Sequence, residues 1–154
     1  MVYKLSPGDI MLYKPTSLFG QLIRIKTWHN VSHVEIYRGN GRSYASRDGL
    51  GVNDYPVRTQ GLIYVLRPKI PLDLVKGDRY FGRMMGTPYG WVDLLDFIGC
   101  SFDTQGIVCS PFAAAWLRAC GWNVFPEDPV TKIAPFQFLD LVGDACAVAY
   151  DLSK

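Results

Sequence analysis

The chain has four cysteines and two histidines, and one residue of each kind sits where nucleophilic chemistry is possible. Cys109 opens the run Cys109-Ser110-Pro111-Phe112-Ala113-Ala114-Ala115-Trp116-Leu117-Arg118-Ala119-Cys120-Gly121. A hydroxyl and a proline precede strong helix formers, Arg118 falls in the last turn, and Gly121 follows as a stop. A helix is therefore expected to begin near residue 109. A cysteine at that place faces unpaired backbone N–H groups and the positive end of the helix dipole, and both favour thiolate over thiol. The plain alternative is that Cys109 is a small buried hydrophobe at a helix start.

A thiol that is to act as a nucleophile needs a base, and the candidates are His29 and His33. In Val31-Ser32-His33-Val34-Glu35-Ile36-Tyr37 apolar and polar residues alternate. That period predicts a strand with His33, Glu35 and Tyr37 on one face and Val34 and Ile36 on the other, leaving His29 in the loop before it. The imidazole of His33 could take the thiol proton and return it to a leaving group, while the Glu35 carboxylate holds its tautomer and favours the imidazolium. The alternative is a polar, solvated strand face. On a helix, two histidines four apart would suit a metal, but the strand pattern opposes that reading. No metal or other cofactor is expected.

The other candidates have weaker settings. Cys120 lies about 16 Å along a helix from Cys109, too far for a disulfide, and Cys100, Cys120 and Cys146 are read as packing residues. Tyr89, after the turn in Gly86-Thr87-Pro88-Tyr89-Gly90-Trp91, could line a substrate cleft, although an aromatic after a turn is more often a packing anchor.

These residues need elements to hold them. Ile10 to Tyr13 reads as a strand after the turn Ser6-Pro7-Gly8-Asp9, and Leu18 to Lys26 as a short helix. Gly39-Asn40-Gly41 joins the histidine strand to Ser43–Ser46 as a hairpin. Another strand, Gly61 to Leu66, is expected to stop at Arg67-Pro68, since proline cannot donate to a ladder. Helical patterns follow over Leu72 to Met85, Trp91 to Ile98 and the cysteine run; prolines at 126, 129 and 135 mark loops, and Ala145 to Asp151 returns as a strand. Strands first and helices after give an α+β chain with an antiparallel sheet.

At 154 residues the chain is expected to form a single domain, 1–154, with enough core to stand without disulfides. Its 49% hydrophobic and 19% charged residues exclude disorder as a main theme. The net charge of +2 has no basic run or stripe behind it, so nucleic acid is not an expected partner. No stretch is long and apolar enough for a transmembrane segment, and the start MVYKLSPGDI lacks the apolar run of a signal peptide. A cytoplasmic location, or delivery without a cleaved signal, is the expectation. Without paired CxxC spacing the cysteines suggest neither a disulfide framework nor a zinc knuckle.

The order of short motifs adds a resemblance. SPGDIML, SHVEIYRGNG, VLRP, GTPYGW and GIVCSPFAAAWLRACG, running from about residue 5 to 122, together resemble the circularly permuted papain-fold cysteine amidases of the YiiX/YaeF type. These are relatives of the NlpC-like cysteine peptidases and of the lecithin:retinol acyltransferase group. The resemblance implies a permuted papain-like (NlpC-like) fold, with a small antiparallel sheet packed against helices and the nucleophile at a helix N-terminus. It matches Cys109 to the nucleophile and His33 to the base. The family's third, polar residue would fall at Tyr44 or Ala45, neither of which is a carboxylate; Glu35 is the replacement candidate, with Ser46 and Asp48 behind it. The expected activity is cleavage of an amide, in a cell-wall (peptidoglycan) or other peptide or in a lipid-derived amide or ester, through an acyl-enzyme on Cys109. Acyl transfer to another acceptor is open to the same chemistry. The alternative is a papain-fold module, catalytically weak or inactive, that binds a peptide or lipid.

Overall fold

The computed structural model describes residues 4–15, 30–47, 49–88 and 105–153, with the side chains of 105–108 left aside. Six antiparallel strands form one sheet: β1 (Ile10–Tyr13), β2 (His33–Gly39), β3 (Arg42–Arg47), β4 (Gly51–Pro56), β5 (Leu62–Pro68) and β6 (Cys146–Asp151), in the order β4-β3-β2-β1-β5-β6. Helices α1 (Leu74–Met84) and α2 (Gln105–Ala119) and two 3₁₀ segments, Val130–Lys132 and Pro135–Leu141, follow β5 in the chain. The protein is thus α+β with an antiparallel sheet. The helices expected over Leu18 to Lys26 and Trp91 to Ile98 lie outside the described residues.

Alternation along the strands sorts the core into two layers. Ile10, Leu12, Val34, Ile36, Tyr44, Val52, Ile63 and Leu66 pack with Phe112, Ala113, Ala114, Trp116 and Leu117 of α2, so the helix lies over that face of the sheet. Met11, Tyr13, Leu62 and Val65 form a second cluster with Tyr37, Val57 and Tyr150. Glu35, in step with Tyr37, therefore stands on the β2 face turned away from the main helix layer, while His33, the first residue of the strand, reaches both the Glu35 carboxylate and Cys109 of α2. Helix α1 is capped by Asp73, whose side chain accepts from the Lys76 N–H. It is held close to α2 by Gly77, where a Cβ would come within 2.7 Å of the Trp116 ring.

Three local expectations are corrected. Helix α2 begins at Gln105, so Cys109 is its fifth residue and Pro111 lies inside the helix. In the sequence alone the proline is a first-turn signal. Burial of the stretch from Phe112 to Leu117 against the sheet holds the helix despite the N–H that Pro111 lacks. Strand β4, Gly-Val-Asn-Asp-Tyr-Pro, was not anticipated, because Gly, Asn, Asp and Pro are poor strand formers; it is held by full pairing from Arg42↔Pro56 to Arg47↔Gly51. Strand β5 runs on through Pro68, which lies past Leu66, the last β5 residue paired with β1. From there the strand has one neighbour, β6, and a missing N–H is tolerated.

Candidate active site

The start of β2 carries the site. His33 opens the strand opposite Tyr13, and Glu35, two residues on, lies opposite Met11. On the other side, the register of Ile36↔Tyr44 and Tyr37↔Ser43, carried one and three residues further, sets Ala45 across from Glu35 and Arg47 across from His33. Ser43, Ala45 and Arg47 share the face of Glu35, and the small Ala45 leaves space between its larger neighbours. The Glu35 carboxylate fills that space and is 0% exposed.

Every partner of this carboxylate is a donor. His33 Nε2 lies 2.9 Å from Oε1, Arg47 Nε donates to Oε1 at 2.9 Å and Arg47 Nη2 to Oε2 at 3.1 Å, and Ser43 Oγ donates to Oε2 at 2.5 Å. Arg58 adds a longer charge contact, 3.8 Å from Nη2 to Oε1. Burial alone would push the carboxyl upward, but the His33, Ser43 and Arg47 interactions outweigh it and bring Glu35 down to about 2. It is an anion throughout the neutral range.

With Nε2 turned to Glu35, His33 has Nδ1 for its other neighbour. Burial favours the neutral ring, yet charge and a hydrogen bond from Cys109, followed by those from Glu35, raise His33 from 6.5 to about 9. The ring is 13% exposed and tilts against Tyr13, their centroids 5.8 Å apart. Burial raises the Tyr13 phenol far above its usual range, so it stays neutral. Cys109, His33 and Glu35 thus make a chain of thiol, imidazole and carboxylate in which a proton leaving sulfur has an acceptor, and the resulting imidazolium has a fixed counter-charge.

Cys109 is fully buried and forms no disulfide. Its place in the second turn puts its own N–H within the helical ladder, so the expected exposure to free N–H groups at a helix start is corrected. The neighbouring Ser110 hydroxyl donates to the Ile133 carbonyl at 2.6 Å, tying this turn to the first 3₁₀ segment. The other two described cysteines are kept as thiols by burial, Cys120 raised to about 12 and Cys146 to about 11.

Ser46, the fallback orienter, alternates onto the opposite face with Tyr44, and its buried hydroxyl has no hydrogen-bond partner. Tyr44 donates to Asp78 Oδ1 at 2.5 Å, away from His33. Asp48, Tyr89, His29 and Cys100 lie outside the described residues. Sequence reasoning missed Arg47 and Ser43. The signal that could have found them was the hairpin register, since a turn at Gly39-Asn40-Gly41 brings both to the face of Glu35.

Among the described residues no group of three or more His, Cys, Asp or Glu could hold a metal ion, and no helix is long and apolar enough to cross a membrane. Compared with protein-family models, curated proteins and solved structures, the chain matches none.

Proposed function

We propose that this protein is a cysteine hydrolase with a permuted papain-like (NlpC-like) fold, cleaving an amide or ester through an acyl-enzyme on Cys109. The observation that carries the reading is His33 held between two partners, the Cys109 thiol on one side and the Glu35 carboxylate 2.9 Å away on the other. With the thiol proton already held by His33, the Cys109 sulfur bonds to the carbonyl carbon, and a tetrahedral oxyanion forms. Its collapse breaks the bond to nitrogen or oxygen, and the imidazolium gives its proton to the departing amine or alcohol. Water, deprotonated by His33, then attacks the thioester and releases the acid and the thiol. The resemblance of the five sequence motifs to the YiiX/YaeF type supports the same reading. It differs from that pattern in one respect: the orienting carboxylate comes from the histidine's own strand, across from Ala45. Peptide, peptidoglycan and lipid-derived acyl donors all fit this chemistry.

A test needs no knowledge of the natural substrate. Incubation with p-nitrophenyl acetate should release nitrophenolate in a burst and leave an acetyl group on Cys109, read by peptide mass spectrometry. Cys109→Ala should abolish both while keeping the circular dichroism spectrum. An acetyl group on another residue, or unchanged release from Cys109→Ala, refutes the assignment. A second reading, a cleft that binds a peptide or lipid without turnover, is favoured by the complete burial of Cys109. It requires that the folded protein give no adduct with any activated ester.

A further inference from the structure

The fork of Arg47 gives the buried cluster a part that the proposed triad leaves unused. His33 meets Oε1 of Glu35 and Ser43 meets Oε2, and neither partner brings a permanent charge. Arg47 supplies one to both oxygens. Its Nε and Nη2 donate to Oε1 and Oε2 at 2.9 and 3.1 Å, a two-pronged grip that fixes the plane of the carboxylate. Ser43 Oγ occupies Oε2 at 2.5 Å, which leaves Oε1 as the oxygen that meets His33 Nε2. Arg47 is itself held, because its guanidinium lies 4.3 Å over the Tyr55 ring and its side chain is 18% exposed.

We propose that Arg47 is a positioning residue for the Cys109–His33 pair, acting through Glu35 by holding the carboxylate in the one orientation that presents Oε1 to the imidazole. This rests on the hydrolase reading above. The charged and titratable groups around Glu35 come from every neighbouring element: Tyr13 on β1, His33 on β2, Arg47 on β3, Tyr55 on β4, Arg58 from the segment between β4 and β5 and, through His33, Cys109 on α2. Of these only Arg47 grips both oxygens with charged donors. Removing it takes a hydrogen-bonded cation from a buried carboxylate, so burial regains weight and Glu35 protonates at higher pH. A neutral Glu35 no longer supports the imidazolium, and the thiolate–imidazolium pair collapses sooner as the solution is acidified.

The measurement is the rate of Cys109 alkylation by iodoacetamide between pH 4 and 9, in wild type and in Arg47→Met, Arg47→Lys, Glu35→Gln and Glu35→Gln/Arg47→Met. Arg47→Met should shift the acid limb upward by about one unit, giving roughly tenfold slower labelling at pH values below the wild-type limb. Arg47→Lys should recover part of the loss by keeping the charge without the fork. In the Glu35→Gln background Arg47→Met should change nothing further, because the group it acts through is gone. If Arg47→Met fails to fold, the Lys variant and the double variant, in which both buried charges are neutralised, carry the test. An acid limb that does not move in Arg47→Met or Arg47→Lys, or an effect of Arg47→Met that persists in full without Glu35, overturns the proposal while leaving the hydrolase reading intact. A wild type whose Cys109 labels only in the alkaline range of Cys120 and Cys146 overturns the hydrolase reading itself.

Discussion

Glu35 and Asp9 are both buried carboxylates gripped by a forked arginine, yet they differ in what else surrounds them. Asp9, 1% exposed just before β1, accepts from Arg67 Nε and Nη2 at 2.8 and 2.7 Å and from the Ser6 backbone N–H at 2.8 Å. Its partners are an always-charged guanidinium and the main chain, and they close the turn that starts the sheet. Glu35 has the same kind of fork from Arg47, but its third charged partner is an imidazole that can gain or lose a proton near neutrality, and behind the imidazole lies a thiol. A buried ion pair is thus a structural device by default. The titratable neighbour turns the second one into a site.

The two carboxylate sites should separate most sharply under His33→Ala. Turnover of a p-nitrophenyl ester should fall about a thousandfold, the loss expected when a general base is removed, with the fold kept. A matched change in the other carboxylate, Asp9→Asn, should leave turnover within about twofold and instead cost on the order of 2 kcal/mol in urea unfolding, a modest figure because Arg67 remains 41% exposed to water. Glu35→Gln should act on turnover as well, slowing acylation about thirtyfold because the imidazolium loses its counter-charge. Equal effects of the Asp9 and Glu35 changes on turnover would erase the distinction between the two carboxylates.

The pH dependence of stability sharpens the same contrast. Glu35 is held below its ordinary 4.5, at about 2, so its contribution is fully present above pH 4.5 and is lost as pH falls toward 2. His33 is raised from 6.5 to about 9, so its contribution is present below pH 6.5 and is lost as pH rises through 9. Stability from the pair should therefore peak between about pH 4.5 and 6.5, and His33→Ala should flatten the alkaline decline in a series of melting temperatures. The smallest effect is expected at the surface. Arg38→Ala breaks an ion pair with Asp54 on the hairpin rim, where Arg38 is 47% exposed, and should change stability by no more than about 0.5 kcal/mol.

Much of the Glu35 site is legible in the sequence. The alternation around His33 gave the strand, its face and the His33–Glu35 neighbourhood, because a period of two is a local property of the chain. The grip of Arg47 and Ser43 was not, since it depends on how β3 pairs with β2 and only the folded register brings residues 8 and 12 positions away onto one carboxylate. The start of α2 was misplaced because Pro111 carries a strong local signal, whereas the packing of Phe112 to Leu117 that sustains the helix is non-local. Strand β4 stayed hidden for a similar reason: its residues are poor strand formers, and its pairing with β3 supplies what their propensities lack.

The central claim is that Cys109 and His33 share a proton under the hold of Glu35. The most direct measurement is the imidazole titration of His33 by nuclear magnetic resonance, comparing wild type with Cys109→Ala and Glu35→Gln and using His29 as the internal reference. His33 should stay protonated well above pH 6.5 in wild type, and each substitution should lower its midpoint. A His33 that titrates near 6.5 in all three proteins would contradict the account.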